Sequence, residues 1–425
     1  MSTIKLNGIT NGSSILKAPD TGSTGQTFTM PASTGTLLTT TGSAANLTAI
    51  PAAQITGTLP AISGANLTSV NAVNGGRKNM VINGAMQVAQ RGTSSTSESY
   101  QTVDRFKTYK ESCEQLAVTQ TQSTESPNGF SNSFELNVGT AESSIEANDL
   151  YNIVTVFEGQ NMQGTAFGTS DAKAMILSFW VRSSKTGTYA INFYNSDATR
   201  NLTNTYAISS ANTWEYKTVS ILPDTSSGFS NDANRSFDIQ WILTAGSDFT
   251  SSNSSSAWSG VSNPRTAYGH TATWGSSTSD DFHLTGVQLE LGSVATDFEH
   301  RSYGEELDLC QRYFYQQNSK NISYDLILPA MAIDPDDANT VWQPPTSFRA
   351  TPTVSVSDAD HTCLNYNGGN RVTRVNYSVQ TNSNNGTSVY LNLDVNSNVL
   401  TVGQMVFLAF DNSISGGWIR FDAEL

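Results

Sequence analysis

Over much of this chain, apolar residues recur at every second position, which sharply limits the folds open to it. The pattern runs through Tyr189-Ala190-Ile191-Asn192-Phe193-Tyr194, through Phe237, Ile239, Trp241 and Leu243, and again through Val389, Leu391, Leu393 and Val395. Successive side chains of a strand face opposite sides of a sheet, so a period of two gives one apolar and one polar face. Lys173–Arg182 is a strongly apolar strand candidate, and further candidates lie at 324–328, 353–357, 372–379 and 417–425. Polar turns such as Ser183-Ser184-Lys185-Thr186-Gly187 separate them. The fold class is therefore all-β, built from antiparallel sandwiches or jelly rolls.

One stretch departs from this period. In 302–317, Leu307, Cys310 and Phe314 make one stripe at helical spacing, and Leu309 and Tyr313 make a second beside it. Glu305 and Glu306 suit a helix N-terminus, and Arg312 lies nearer the other end. A lone helix this short is marginal in water, so it must pack on a sheet or on its own copies.

The chain has 425 residues, enough for two or three modules of about 100–200 residues each. Charged residues make up 14%, against a usual share of about 25%. The net charge of −14 argues against nucleic acid or an anionic membrane as a partner. Cys113, Cys310 and Cys363 are odd in number and lack metal spacing, so a disulfide framework is not expected. Met1-Ser2-Thr3-Ile4-Lys5 opens no signal peptide, and no apolar run approaches the roughly 20 residues of a membrane span. Synthesis in a cytoplasm without membrane insertion is the expectation.

Residues 1–76 carry three charges, Lys5, Lys17 and Asp20, among Thr, Ser, Gly and Ala. Within them Ala45-Asn46-Leu47-Thr48-Ala49-Ile50 recurs 20 residues later as Ala65-Asn66-Leu67-Thr68-Ser69-Val70. Each repeat has too little apolar surface to fold alone, but several chains wound about one axis could bury it. Gly57-Thr58-Leu59-Pro60-Ala61-Ile62-Ser63-Gly64-Ala65-Asn66-Leu67-Thr68 resembles the shaft repeat of phage tail fibres. Phe28-Thr29-Met30-Pro31 with Gly35-Thr36-Leu37-Leu38 resembles the element before it. Two further stretches are similar to tail-fibre versions of carbohydrate-binding jelly rolls. They are Asn79-Met80-Val81-Ile82-Asn83-Gly84 and the run 280–301, which contains Gly286-Val287-Gln288-Leu289-Glu290. Cys310-Gln311-Arg312-Tyr313 and 348–354 resemble the connector and terminal domain of such fibres.

The resemblance implies an elongated homotrimeric fibre made of five parts. These are a virion-attachment segment (1–44), an intertwined shaft (45–76), a jelly-roll β-sandwich (77–301), a helical connector (302–317) and a distal C-terminal β-sandwich domain (318–425) that could carry the receptor-binding tip. It implies a virion tail protein made in the host cytoplasm, tied to tail or adaptor proteins through its N-terminus. Its ligand would be a host-surface glycan or an outer-membrane receptor. A capsid fibre or adaptor without receptor contact is the structural alternative, and a polysaccharide depolymerase spike the enzymatic one.

Candidate ligand residues follow from local composition. Trp258, Tyr268, His270 and Trp274 lie in a long Ser/Asn-rich stretch at 246–279, where aromatic faces could stack on sugar rings. Tyr366, Asn367 and Asn370 lie in a polar turn of the last domain, which could present hydrogen-bonding groups or serve as a plain hairpin. In the jelly rolls, a carboxylate at the last strand and one after the first-strand Asn-Gly hold a structural Ca²⁺. Asp280 and Asp281 match the former, but Asn83-Gly84 is followed by Ala85-Met86-Gln87, so no cofactor is expected beyond a possible Ca²⁺. Four scattered histidines, no HExxH and no G-x-S-x-G elbow give no catalytic set, and the clusters Asp334/Asp336/Asp337 and Asp358/Asp360 are short of a sugar-cleaving pair. No enzyme activity is expected.

Overall fold

The computed structural model describes residues 4–7, 13–16 and 77–425, save 252–256, 262, 264, 320–324, 358–361, 367–369, 374–375, 380–387, 395–399 and 411–416. The repeat at 45–70 lies outside the described residues, as does most of 1–44. Within that segment β1 (Ile4–Asn7) and β2 (Ser13–Leu16) pair antiparallel. Residues 1–70 form one compact unit and 71–425 a second.

The second unit begins with a sandwich. Its strands are β3 (Ser94–Ser95), β4 (Phe106–Glu111), β5 (Ala117–Ser123), β6 (Ser133–Thr140), β7 (Leu150–Glu158), β8 (Met175–Ser183), β9 (Gly187–Asn195), β10 (Arg200–Ile208), β11 (Glu215–Ile221), β12 (Arg235–Ala245), β13 (Ser259–Gly260) and β14 (Asp281–Leu291). The front sheet has the order β11-β8-β14-β6-β5-β3, the back sheet β13-β10-β9-β12-β7-β4. Every pairing in both is antiparallel. The period-two residues do what the sequence asks of them: Ile191, Phe193, Phe237, Ile239 and Trp241 meet Leu177, Phe179, Phe282 and Leu284 in one core. The Asn79–Gly84 stretch completes the front sheet, where Met80 N donates to Leu289 O and Val287 N to Gly84 O. Glycine is required at 84, because a Cβ there would sit 2.1 Å from Val287 O.

A short helix, α1 (Ser247–Thr250), follows β12; α2 (Tyr303–Gln311) follows the sandwich. The Ser302 side chain caps α2 by accepting from Glu305 N. The helix expected over 302–317 ends early, because Phe314–Asn318 forms β15 and pairs with β24 (Trp418–Asp422). A distant pairing partner outweighs the local helical spacing here.

Residues beyond β15 fold as a second two-sheet layer. It comprises β16 (Asp325–Ala332), β17 (Asp337–Trp342), β18 (Thr353–Val356), β19 (Thr362–Tyr366), β20 (Asn370–Thr373), β21 (Asn376–Val379), β22 (Val389–Asp394), β23 (Met405–Phe410) and β24. One sheet has the order β15-β24-β18 and the other β20-β19-β23-β16-β17-β22-β21. Trp342 stacks on Phe421 at 4.0 Å in the core between them. Charged groups join this layer to the sandwich. Arg312 grips the fully buried Glu158 with two bonds of 2.7 Å, and Glu424 lies between Arg105 and Arg91. The segment around β24 thus lies against the sandwich.

Candidate functional site

The four aromatic candidates of 246–279 do not share one surface. Trp258 is buried, donates from Nε1 to Leu222 O at 2.6 Å and meets Phe167 edge-on. Trp274 is fully buried against Tyr151. His270 is buried, and its Nδ1 accepts from Ala190 N at 3.2 Å. Burial in apolar surroundings holds the His270 pKa down, to about 4. These three anchor the loop to its own sandwich and leave no open ring face for a sugar. Tyr268 keeps 43% of its surface exposed. Tyr366 and Asn370 are backbone partners in the β19–β20 register, while Asn367 lies outside the described residues.

The same loop closes the outer face of the back sheet. Thr266 Oγ1 donates to Asn192 Oδ1 at 3.1 Å and accepts from Asn201 Nδ2 at 2.5 Å. Thr203 also donates to Asn192, whose amide donates to Gln240. Arg265 stacks over Tyr109 at 3.7 Å. An amide and hydroxyl ladder that could have met a glycan is therefore covered by the chain itself, although Asn201 Oδ1 and the Asn152 amide stay without a hydrogen-bond partner beneath it.

The Ca²⁺ expectation fails on donor chemistry. Asp280 Oδ2 accepts from Gly275 N and Ser277 N at 3.0 and 3.1 Å, and Lys185 Nζ lies 3.5 Å from Oδ1. Asp281 accepts from Ser184 N at 2.8 Å and from Arg182 Nη1 at 2.9 Å. Asn83, the first-strand counterpart, spends its side chain on Val88 and Asp104. A calcium ion needs six to eight free oxygens, and cationic side chains already flank these two carboxylates. Asp334, Asp336 and Asp337 cluster at the β16–β17 turn, where Asp334 Oδ1 accepts from both following backbone amides.

One arrangement superficially suggests catalysis. Ser133 Oγ lies 3.2 Å from His283 Nδ1, with Glu135 and Asp281 at 3.7 and 3.9 Å from Nε2. Ser133 is fully buried and donates to Glu125 O at 2.6 Å, so its proton is committed and no substrate can reach it.

Solvent-facing rings do gather on the outer face of the front sheet. Tyr216, Trp180 and Thr285 stand opposite one another across β11, β8 and β14. Tyr216 is 45% exposed and tilts against the partly exposed Trp180 at 5.4 Å. A register shift in β14 then places Gly286 in the left-handed region, φ 61°. A Cβ there would lie 2.7 Å from Phe130 and 3.0 Å from Trp180, so this buried glycine lets both rings pack down onto the strand side by side. Phe130 continues the row through Phe298 at 5.0 Å and the exposed His300 at 5.3 Å. Arg182, held between Glu125 and Asp281, supplies polar groups on the same face. Sequence reasoning read Trp180 as part of an apolar strand. Its outward alternation with Phe179 was the available signal.

No protein-family model matches the chain, and no curated protein matches it. Among solved structures, the enzymatically active domain of bacteriophage CBA120 tailspike protein 4 is 12% identical with a TM-score of 0.27, over 50% of this chain and 21% of that one. This chain thus matches about a fifth of that protein. TmCBM61, solved with beta-1,4-galactotriose, is 8% identical with a TM-score of 0.26, over 51% of this chain and 99% of that one. The family 11 carbohydrate-binding module of a Clostridium thermocellum cellulase is 10% identical with a TM-score of 0.24, over 48% and 97%. At TM-scores this low the likenesses carry nothing further; the sandwich stands on its own strand order.

Proposed function

We propose that this chain is a glycan-binding attachment protein of a phage tail, a homotrimeric fibre that holds a host-surface saccharide on the outer face of its front sheet. The observation that carries the binding reading is the row Tyr216, Trp180 and Phe130, interrupted by Gly286. Sugar rings present C–H faces that pack on aromatic faces, while hydroxyls need charged and amide neighbours. The Tyr216 and Trp180 rings offer the first, and Arg182 with Asp281 offers the second. The tail and trimer readings are supported by the sequence, through the 45–70 repeat and the fibre-like stretches at 286–301 and 310–313. Weak single sites repeated on one particle would gain by avidity.

The test is binding of host-surface polysaccharide by Tyr216→Ala and Trp180→Ala chains. Each is expected to weaken monovalent affinity about tenfold, the equivalent of about 1.4 kcal/mol, with the melting temperature of Tyr216→Ala unchanged. Full affinity in both variants sinks the reading. If Tyr268→Ala or Tyr366→Ala loses binding instead, the ligand sits at the back-sheet loop or the β19–β20 hairpin. Release of new reducing ends by the wild-type chain would favour a depolymerase.

A further inference from the structure

We propose that the outer face of the seven-stranded sheet is where copies of this chain meet around a shared axis. This deepens the trimer reading above and rests on it. Strand alternation sends Ala330, Ala332, Ala338, Trp342, Val406 and Leu408 into the C-terminal core. The residues between them should then be polar, as solvent-facing strand positions usually are. Three of them are not: Met331 is 57% exposed, Val341 58% and Met405 65%. Met331 stands beside Met405 in register, and Ile333 and Val402 extend the apolar surface beyond the strand ends at 45% and 65% exposure. Together these five side chains bare on the order of 500 Å² of apolar surface, as much as the largest patch on a typical monomer.

The occupant is a second copy for three reasons. First, the repeat at 45–70 has too little apolar surface of its own and already calls for several chains on one axis. Second, the face is neutral at its centre. Met331 is followed across the sheet by Asn339 and Asn392, which bond to each other at 3.1 Å, while Tyr390 bonds to Asn339 at 2.5 Å. The acidic row of Asp337 and Asp394 lies at one end of this face, so the contact is centred on the methionine pair and on a partner that is apolar and neutral there, as its own copy is. Third, residues lying on a threefold axis meet their own equivalents, so a patch centred on the axis serves every copy, while the contacts away from the axis are heterologous. With about 800 Å² per partner typical of a stable interface, the patch supplies most of one side.

The experiment uses the full chain and two readouts. Light scattering gives the particle mass, and peroxide oxidation followed by mass spectrometry gives the rate at Met331 and Met405. The expected result is a mass three times the 45.6 kDa of one chain and oxidation at both methionines at least tenfold slower than for free methionine. A multimer whose two methionines oxidise at the free rate overturns this surface and leaves the trimer intact. A monomer overturns both. Protection that persists after dilution has dissociated the particle also overturns the proposal, because the chain's own N-terminal segment would then be the cover.

Discussion

Replacing Glu424 by Ala tests whether buried charge holds the two β-layers together. Glu424 is paired with Arg105 and lies 3.4 Å from Arg91, and all three side chains are 6% exposed or less. Arg105 also donates to Val156 O at 2.6 Å and lies over the Tyr313 ring at 3.5 Å. Burial alone would lower the Arg105 pKa, yet the Glu424 carboxylate, aided by Tyr313 and Tyr100, holds it above its usual value. Deleting the carboxylate leaves two guanidinium groups buried with reduced compensation. Breaking one side of such a pair costs about 3–5 kcal/mol. That is a factor of roughly 150 to 5,000 in the folding equilibrium. At about 2–4 °C per kcal/mol for a domain of this size, the melting temperature should fall by about 6–20 °C. Arg77–Glu305 is the internal control: at 2.6 Å it is as close, but its side chains are 49% and 38% exposed. Glu305→Ala should cost no more than about 1 kcal/mol. The assay is calorimetry of the full chain, with hydrogen exchange identifying the transition in which β24 loses protection. Equal losses from Glu424→Ala and Glu305→Ala would refute the reasoning, because burial would then add nothing to the pair.

Two further outcomes follow from the site. His270 has a folded pKa of about 4, below its usual 6.5, so the unfolded chain binds a proton that the folded chain refuses. Its contribution is complete above pH 6.5 and is lost on acidification toward 4, by up to about 3 kcal/mol. Burial raises Asp104 to about 6, which opposes this by removing stability as pH rises through 6. The stability difference between wild type and His270→Asn isolates the histidine. It should be flat above pH 7 and shift in favour of the variant below 6; a difference independent of pH would contradict the burial argument. The occupied oxygens of Asp280 and Asp281 predict that EDTA or added Ca²⁺ moves the melting temperature by less than about 1 °C, and a clear rise with Ca²⁺ would show that the ion displaces their present partners.

The strands were legible because alternation is local, as in Tyr189 to Tyr194 and Phe237 to Leu243. The start of α2 was legible too, since Ser302 and Glu305 mark it within four residues. Its end was not. Phe314 keeps helical spacing with Leu307 and Cys310, but its partner is Asp422, and nothing near residue 314 announces that pairing. The burial of Trp258 and Trp274 was hidden for the same reason. Trp258 and Trp274 look identical in sequence whether their rings face solvent or core, and only packing against Phe167 and Tyr151 decides it. Tyr216 and Trp180 become neighbours through the β8–β11 register, which no local pattern specifies.

Registers also separate the two proposed surfaces in a way that makes them independently testable. The back sheet's outer ladder is covered by Thr266, so among the described residues the open ring faces of the sandwich, Tyr268 apart, gather on the front sheet. The exposed methionine pair belongs to a different core, in a layer that contacts the sandwich through Arg312, Arg349 and Glu424. A change at Tyr216 should therefore alter affinity for a single saccharide and leave particle mass untouched. A change that unpairs copies at Met331 should do the reverse, sparing single-site affinity while reducing retention on a surface dense in saccharide, because avidity depends on how many sites one particle carries. Were either change to move both quantities, the two surfaces would have to be coupled through the Glu158 and Glu424 contacts, which form the charged junction between the two layers.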